Sequence, residues 1–217
     1  MIKKIVLTTT LLTSLAYGDM TQKGFIVGFD VSMLDSSIEY ANKGAFQTNN
    51  YASSSENNSF SGKIGYQYYF TRVYVRINQN AEYKDENKGY YKVRNQVIEL
   101  NADYLPILYS AKDNKWNIRG IIGVGVGANR SQMSYYSTLI DSPESIFDKE
   151  TKYNMEYGFQ IGTQVEFDFG LSAELGYRAR SGLMAEFSDA DGVTSATYEA
   201  TFKLKTSELY LGLNYLF

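Results

Sequence analysis

YNMEYGFQIGTQVEF, residues 153–167, decides how the rest of the chain reads. Tyr153, Met155, Tyr157, Phe159, Ile161, Thr163, Val165 and Phe167 fall on one side of a period-two pattern. Asn154, Glu156, Gly158, Gln160, Gly162, Gln164 and Glu166 fall on the other. Successive side chains of a strand point to opposite faces, so strict alternation is a strand signature. The run is far longer than the ~6 residues of an ordinary strand.

Seven further segments alternate in the same way. Their apolar faces are centred on Phe29, Ile64, Val75, Leu100, Val124, Leu175 and Leu211. No charged residue interrupts any of these faces, although 21% of the chain is charged. The opposite faces mix charged residues with many glycines. A ninth stretch, from Ala196 through Leu204, alternates with the parity reversed near Thr206 and Ser207. It reads as the outer half of the eighth strand beyond a bulge, which shifts parity by one residue. A separate ninth strand is the rival reading.

The connections alternate too. Residues 34–59, 84–97, 130–152 and 181–195 read as long loops, and 71–72, 105–117 and 168–170 as shorter turns. Long loops on one side and short turns on the other suit a membrane barrel. The 105–117 connection fits least well, being as long as the second loop. Phe25, Tyr68, Phe70, Tyr104, Trp116, Phe167, Phe169 and Phe217 then gather at the short-turn end. Phe60, Tyr83, Tyr153, Tyr157, Tyr177 and Tyr198 gather toward the loops, as interfacial girdles would. A soluble sandwich also alternates. Glycine-spaced charges opposite uncharged faces favour a narrow, filled barrel interior with lipid outside. The fold expected is all-β: an eight-stranded antiparallel up-and-down transmembrane barrel.

The ends of the chain agree. Lys3 and Lys4 precede an apolar stretch, and Ala16 and Gly18 flank Tyr17 with signal-peptidase spacing. Residues 1–18 therefore read as a cleaved signal peptide and 19–217 as the exported barrel. The C-terminus ends Tyr210-Leu211-Gly212-Leu213-Asn214-Tyr215-Leu216-Phe217. Leu211, Leu213, Tyr215 and Phe217 resemble the insertion signal of bacterial outer-membrane barrels. With the eight segments, the chain resembles the small OmpA-like and opacity-protein barrels. That resemblance implies an integral outer-membrane location among lipid and lipopolysaccharide, and assembly by the barrel-assembly machinery through the C-terminus.

Composition excludes several functions. With no His and no Cys, the chain has no Ser-His-Asp or Cys-His catalysis and no disulfides. Lipid-modifying and proteolytic outer-membrane barrels rely on His, so the chain reads as a non-enzyme. A formal charge of −3 argues against nucleic-acid binding. Gly123-Val124-Gly125-Val126-Gly127-Ala128 matches a dinucleotide pattern, but all three glycines share one strand face. A stripe that makes room for opposing side chains is the better reading, and no cofactor is expected. Asp189-Ala190-Asp191-Gly192 reads as a turn, with surface cation binding left open.

Inward charges are the main candidate site. Asp30, Glu99, Asp103, Glu156, Glu166, Glu174 and Glu208 face Lys63, Arg76, Arg119, Arg178 and Arg180 across the inferred lumen. Asp103 and Arg119 lie near the same end of neighbouring strands and are expected to pair. An ion-paired plug is favoured over a wet pathway for small solutes. The Tyr-, Ser- and Asn-rich loops suit adaptable contacts with host or environmental molecules. Two roles follow: a structural or adhesive barrel, or a small-solute porin.

Overall fold

The computed structural model describes residues 23–43, 48–80, 83–84, 91–112, 115–135, 150–190 and 197–217. Eight staves build it: β1 (Lys23–Lys43), β2 (Thr48–Tyr68), β3 (Thr71–Asn80), β4 (Tyr91–Tyr104), β5 (Trp116–Tyr135), β6 (Glu150–Phe167), β7 (Leu171–Ala190) and β8 (Thr197–Leu216). The short segment Tyr83–Lys84 pairs with β4 beyond the end of β3. Each stave is antiparallel to the next, β8 returns to β1, and the ring is closed. The expected all-β barrel of eight strands is the architecture observed.

Burial runs opposite to that of a soluble sandwich. Val124 and Leu211 are each 64% exposed, while Arg76 and Glu208 are 0% exposed. An outer wall of exposed Phe, Val, Ile and Leu encloses an interior of charge and amide. This inversion suits a barrel bathed in lipid, where the apolar face needs no protein cover.

Several connections differ from the sequence expectation. Residues 34–59 are not a long loop: β1 and β2 stay paired from Lys23↔Tyr68 to Lys43↔Thr48. β5 likewise continues to Tyr135, β6 begins at Glu150, and β7 runs to Ala190. Above the apolar band a ladder needs no apolar face, so pairing continues where hydrophobic alternation has stopped. β8 is a single strand, and its register with β1 runs unbroken through Thr206 and Ser207. The reversed parity is therefore not a bulge there. The irregularity in the pairing of β8 lies opposite Phe202 and Lys203, where β7 carries an extra residue.

Two short turns also need correction. The β2–β3 turn is Tyr69-Phe70, two residues before the expected 71–72, and pairing resumes at Tyr68↔Thr71. Tyr69 takes a φ of 52°, and Thr71 Oγ1 donates to the Tyr68 carbonyl at 2.9 Å, closing the loop. The 105–117 connection contains a strand segment of its own. Ile107–Ser110 prolongs β4 in the same register on β5, past a kink at Leu105-Pro106, with an irregularity at Leu108. The 168–170 turn is as expected, with Gly170 at a φ of 90°.

Residues 1–22, including Ala16 and Gly18, lie outside the described residues, as do Asp191 and Gly192. Asp189 is in the β7 strand, paired with Tyr198. Aromatic rings cluster at the short-turn end, with Phe25 against Tyr66 at 5.3 Å, Phe167 against Phe169 at 5.4 Å and Tyr215 against Phe217 at 4.8 Å. At the other end Phe60, Tyr153, Tyr157 and Tyr177 are exposed. The side chains of Tyr83 and Tyr198 are outside the described set.

Candidate functional site: the charged interior

Strand parity dictates which residues enter the lumen. All twelve expected charges are buried there: Asp30, Lys63, Arg76, Glu99, Asp103, Arg119, Glu156, Glu166, Glu174, Arg178, Arg180 and Glu208. A thirteenth, Arg72, was missed because it was assigned to a turn. Extending the parity of Tyr74 and Arg76 back by two residues places it on the same inward face.

The charges form three tiers. Nearest the short turns, Arg119 Nε donates to Glu166 at 2.5 Å and its Nη1 to the Tyr69 carbonyl at 3.0 Å. Gln67 donates to the other oxygen of Glu166 at 3.0 Å. In the middle, Arg72 holds Asp103 at 2.5 Å and also Glu174. Lys63 bridges Glu174 at 2.7 Å and Asp30 at 2.9 Å. The upper tier centres on Glu208, which accepts from Arg76 at 3.1 Å, Arg178 at 3.1 Å and Arg180 at 2.7 Å. Arg76 also reaches Glu99 at 3.2 Å, and Arg180 pairs with Glu99 as well.

The expected pair of Asp103 with Arg119 does not form. Asp103 sits opposite Arg72 on β3 and opposite Gly123 on β5, four residues along that strand from Arg119. Arg119 faces the β6 strand instead and finds Glu166.

Neutral groups complete the filling. Gln160 donates to the Tyr74 hydroxyl at 2.7 Å and accepts from Arg178 at 2.8 Å. The Arg178 guanidinium lies 4.2 Å from the Tyr210 ring centre. The glycine stripe on β5 works as expected. A Cβ on Gly123 would lie 2.1 Å from an Asp103 oxygen, and one on Gly125 2.3 Å from an Asn101 oxygen.

Electrostatically, the described interior holds seven carboxylates and six bases. Glu156 is the least compensated: its nearest base is Arg180 at 4.0 Å, and its Oε1 has no hydrogen-bond donor. Several ion pairs join distant strands. Arg72 on β3 and Lys63 on β2 both reach Glu174 on β7, across the lumen rather than along one wall. Such links tie opposite walls of the barrel together through its interior. Among the described residues no three His, Cys, Asp or Glu side chains converge as a metal site.

No protein-family model matches the chain, and no curated protein is similar to it in sequence. Solved structures are similar in fold. The Neisserial surface protein A crystal structure matches with a TM-score of 0.56 at 15% identity, over 90% of this chain and 99% of that one. OprG of Pseudomonas aeruginosa has a TM-score of 0.44 at 9% identity, over 91% of this chain and 98% of that one. The N-terminal barrel of Pseudomonas aeruginosa OprF has a TM-score of 0.41 at 10% identity, over 86% and 99%. The first likeness is one of fold, a closed eight-stranded antiparallel barrel.

Proposed function

We propose that this chain is an integral outer-membrane protein in which a closed barrel carries long hairpins outside the cell. Its role is structural or adhesive rather than solute transport. The observation that supports this most is the cross-lumen network, in which Glu174 binds both Lys63 and Arg72 and Glu208 binds three guanidinium groups. A filled interior leaves the outer surfaces for contact with other molecules. The hairpins are suited to that task. β1 and β2 remain paired to Lys43↔Thr48, and β7 and β8 to Ala190↔Thr197, so each rises on a stiff ladder. Leu211, Leu213, Tyr215 and Phe217 lie exposed on the outer wall near the closing seam, where they are available to the assembly machinery.

Trimming tests the adhesive role. Cells producing the full chain should bind matrix-protein-coated surfaces more than cells producing a chain shortened within residues 36–55 and 132–150. The trimmed barrel should keep its heat-modifiable mobility on gels. Equal adhesion by both would contradict the display role.

A further inference from the structure

At the hairpin end the barrel wall is not continuous. Among the described residues β6 and β7 pair from Glu166↔Ser172 up to Glu156↔Gly182 and no further. Above that rung β7 stays paired with β8 as far as Ala190↔Thr197. β6 stays paired with β5 as far as Glu150↔Met133. Two ladders therefore rise from the barrel with a split between them. The cause lies in β7. Directly above Gly182 its register with β8 passes from Leu183↔Lys203 to Ala185↔Phe202, so Met184 is an extra residue. A bulge of this kind raises the local twist, bends its strand and ends pairing.

Beyond the bulge, residues 185–190 are held on one side only, because among the described residues no strand pairs with their β6-facing edge. That edge spans ~20 Å, and every second residue turns both its N–H and its C=O toward the split. Such a row of backbone groups is a template for one more strand. The edge is well supported from behind, since β8 is itself paired with β1 as far as Lys43↔Glu199. On β7 the outward residues pass from Tyr177 to Ala179 and Ser181, so the edge stands above the apolar wall there. Charge then selects the partner. Residues 183–190 read LMAEFSDA, with Glu186 and Asp189 and no base. Behind them β8 adds Glu199, with no base between Thr197 and Phe202. A second copy of this edge would set like charges against each other, which opposes pairing. A strand bearing Lys or Arg would be drawn to it.

We propose that the free edge of β7 binds an extended, basic segment of another protein by strand addition. Backbone pairing with residues 185–190 supplies the fit, and Glu186, Asp189 and Glu199 favour segments that carry Lys or Arg. The proposal rests on the adhesive reading above and names the kind of partner that the display role would hold.

The probe is a fluorescent decapeptide alternating Lys with Val, offered to the full chain refolded in nonionic detergent. Two counterparts each change one feature: Glu replaces Lys, or every amide is N-methylated, which keeps the charge and prevents a ladder. Fluorescence anisotropy reads the affinities. The Lys peptide should bind at least tenfold more tightly than either counterpart. Glu186→Lys combined with Asp189→Lys should weaken its binding at least tenfold, with heat-modifiable mobility verifying that the variant folds. Equal binding of the N-methylated peptide would leave charge alone as the attraction and overturn the proposal. So would no binding of the Lys peptide, unchanged binding by the double variant, or a dimeric chain that takes up no peptide. Equal adhesion by cells with full and trimmed chains would instead overturn the display role, whichever peptide the edge prefers.

Discussion

Glu208 lies where the guanidinium groups of Arg76, Arg178 and Arg180 meet, with no exposed surface of its own. Removing its charge would leave three buried cations short of a counter-ion, a defect that costs about 3–5 kcal/mol for an interior pair. Glu208→Gln should therefore lower the urea midpoint of the refolded barrel substantially, read from Trp116 fluorescence. Glu156→Gln should change it little, by less than ~1 kcal/mol, because its ion pair with Arg180 is long, at 4.0 Å, and its Oε1 is unbonded. Equal effects of the two would mean that the network does not carry the stability assigned to it. Most of this interior was legible in the sequence, since parity alone sorted twelve charges inward. Partners were less so. Asp103 and Arg119 share an end of the barrel, but pairing depends on which strand lies opposite, and Arg72 occupies that place for Asp103.

Elements were legible where the outer wall is apolar and illegible where it is not. The apolar faces of β6 and β8 mark their lower portions plainly, whereas the paired extension of β1 and β2 from Ser36↔Ser55 to Lys43↔Thr48 carries no period-two hydrophobic signal. Ladder hydrogen bonds come from the backbone and are invisible in composition. The turn at Tyr69-Phe70 was misplaced by a similar limit, since Tyr69 adopts a positive φ that its side chain does not advertise. Gly170 shows the more usual case. Its φ is 90°, and a Cβ there would lie 2.5 Å from the Leu216 carbonyl oxygen. Gly170→Ala should destabilise the barrel by about 1 kcal/mol or more, measured by the same urea titration. Gly123→Val should be worse, because the added side chain would occupy the space of the Asp103 carboxylate. At the seam, Phe217 donates its amide to the Phe25 carbonyl at 2.9 Å, with its ring outside. Deleting Phe217 should reduce insertion in cells, seen as less heat-modifiable protein in the membrane fraction; undiminished insertion would contradict the role given to the C-terminus.

At the scale of the molecule, the barrel is organised by an inversion of polarity: apolar residues outside, ion pairs within. The sequence allowed this reading because its charges share faces with glycines, an economy that suits a crowded lumen and not a sandwich surface. The central claim is that this lumen is closed. Conductance of the full chain in planar lipid bilayers tests it most directly, with protease protection of the same bilayers establishing insertion. The account predicts inserted protein with no single-channel steps. Stable, reproducible steps of uniform size from the folded chain would contradict it.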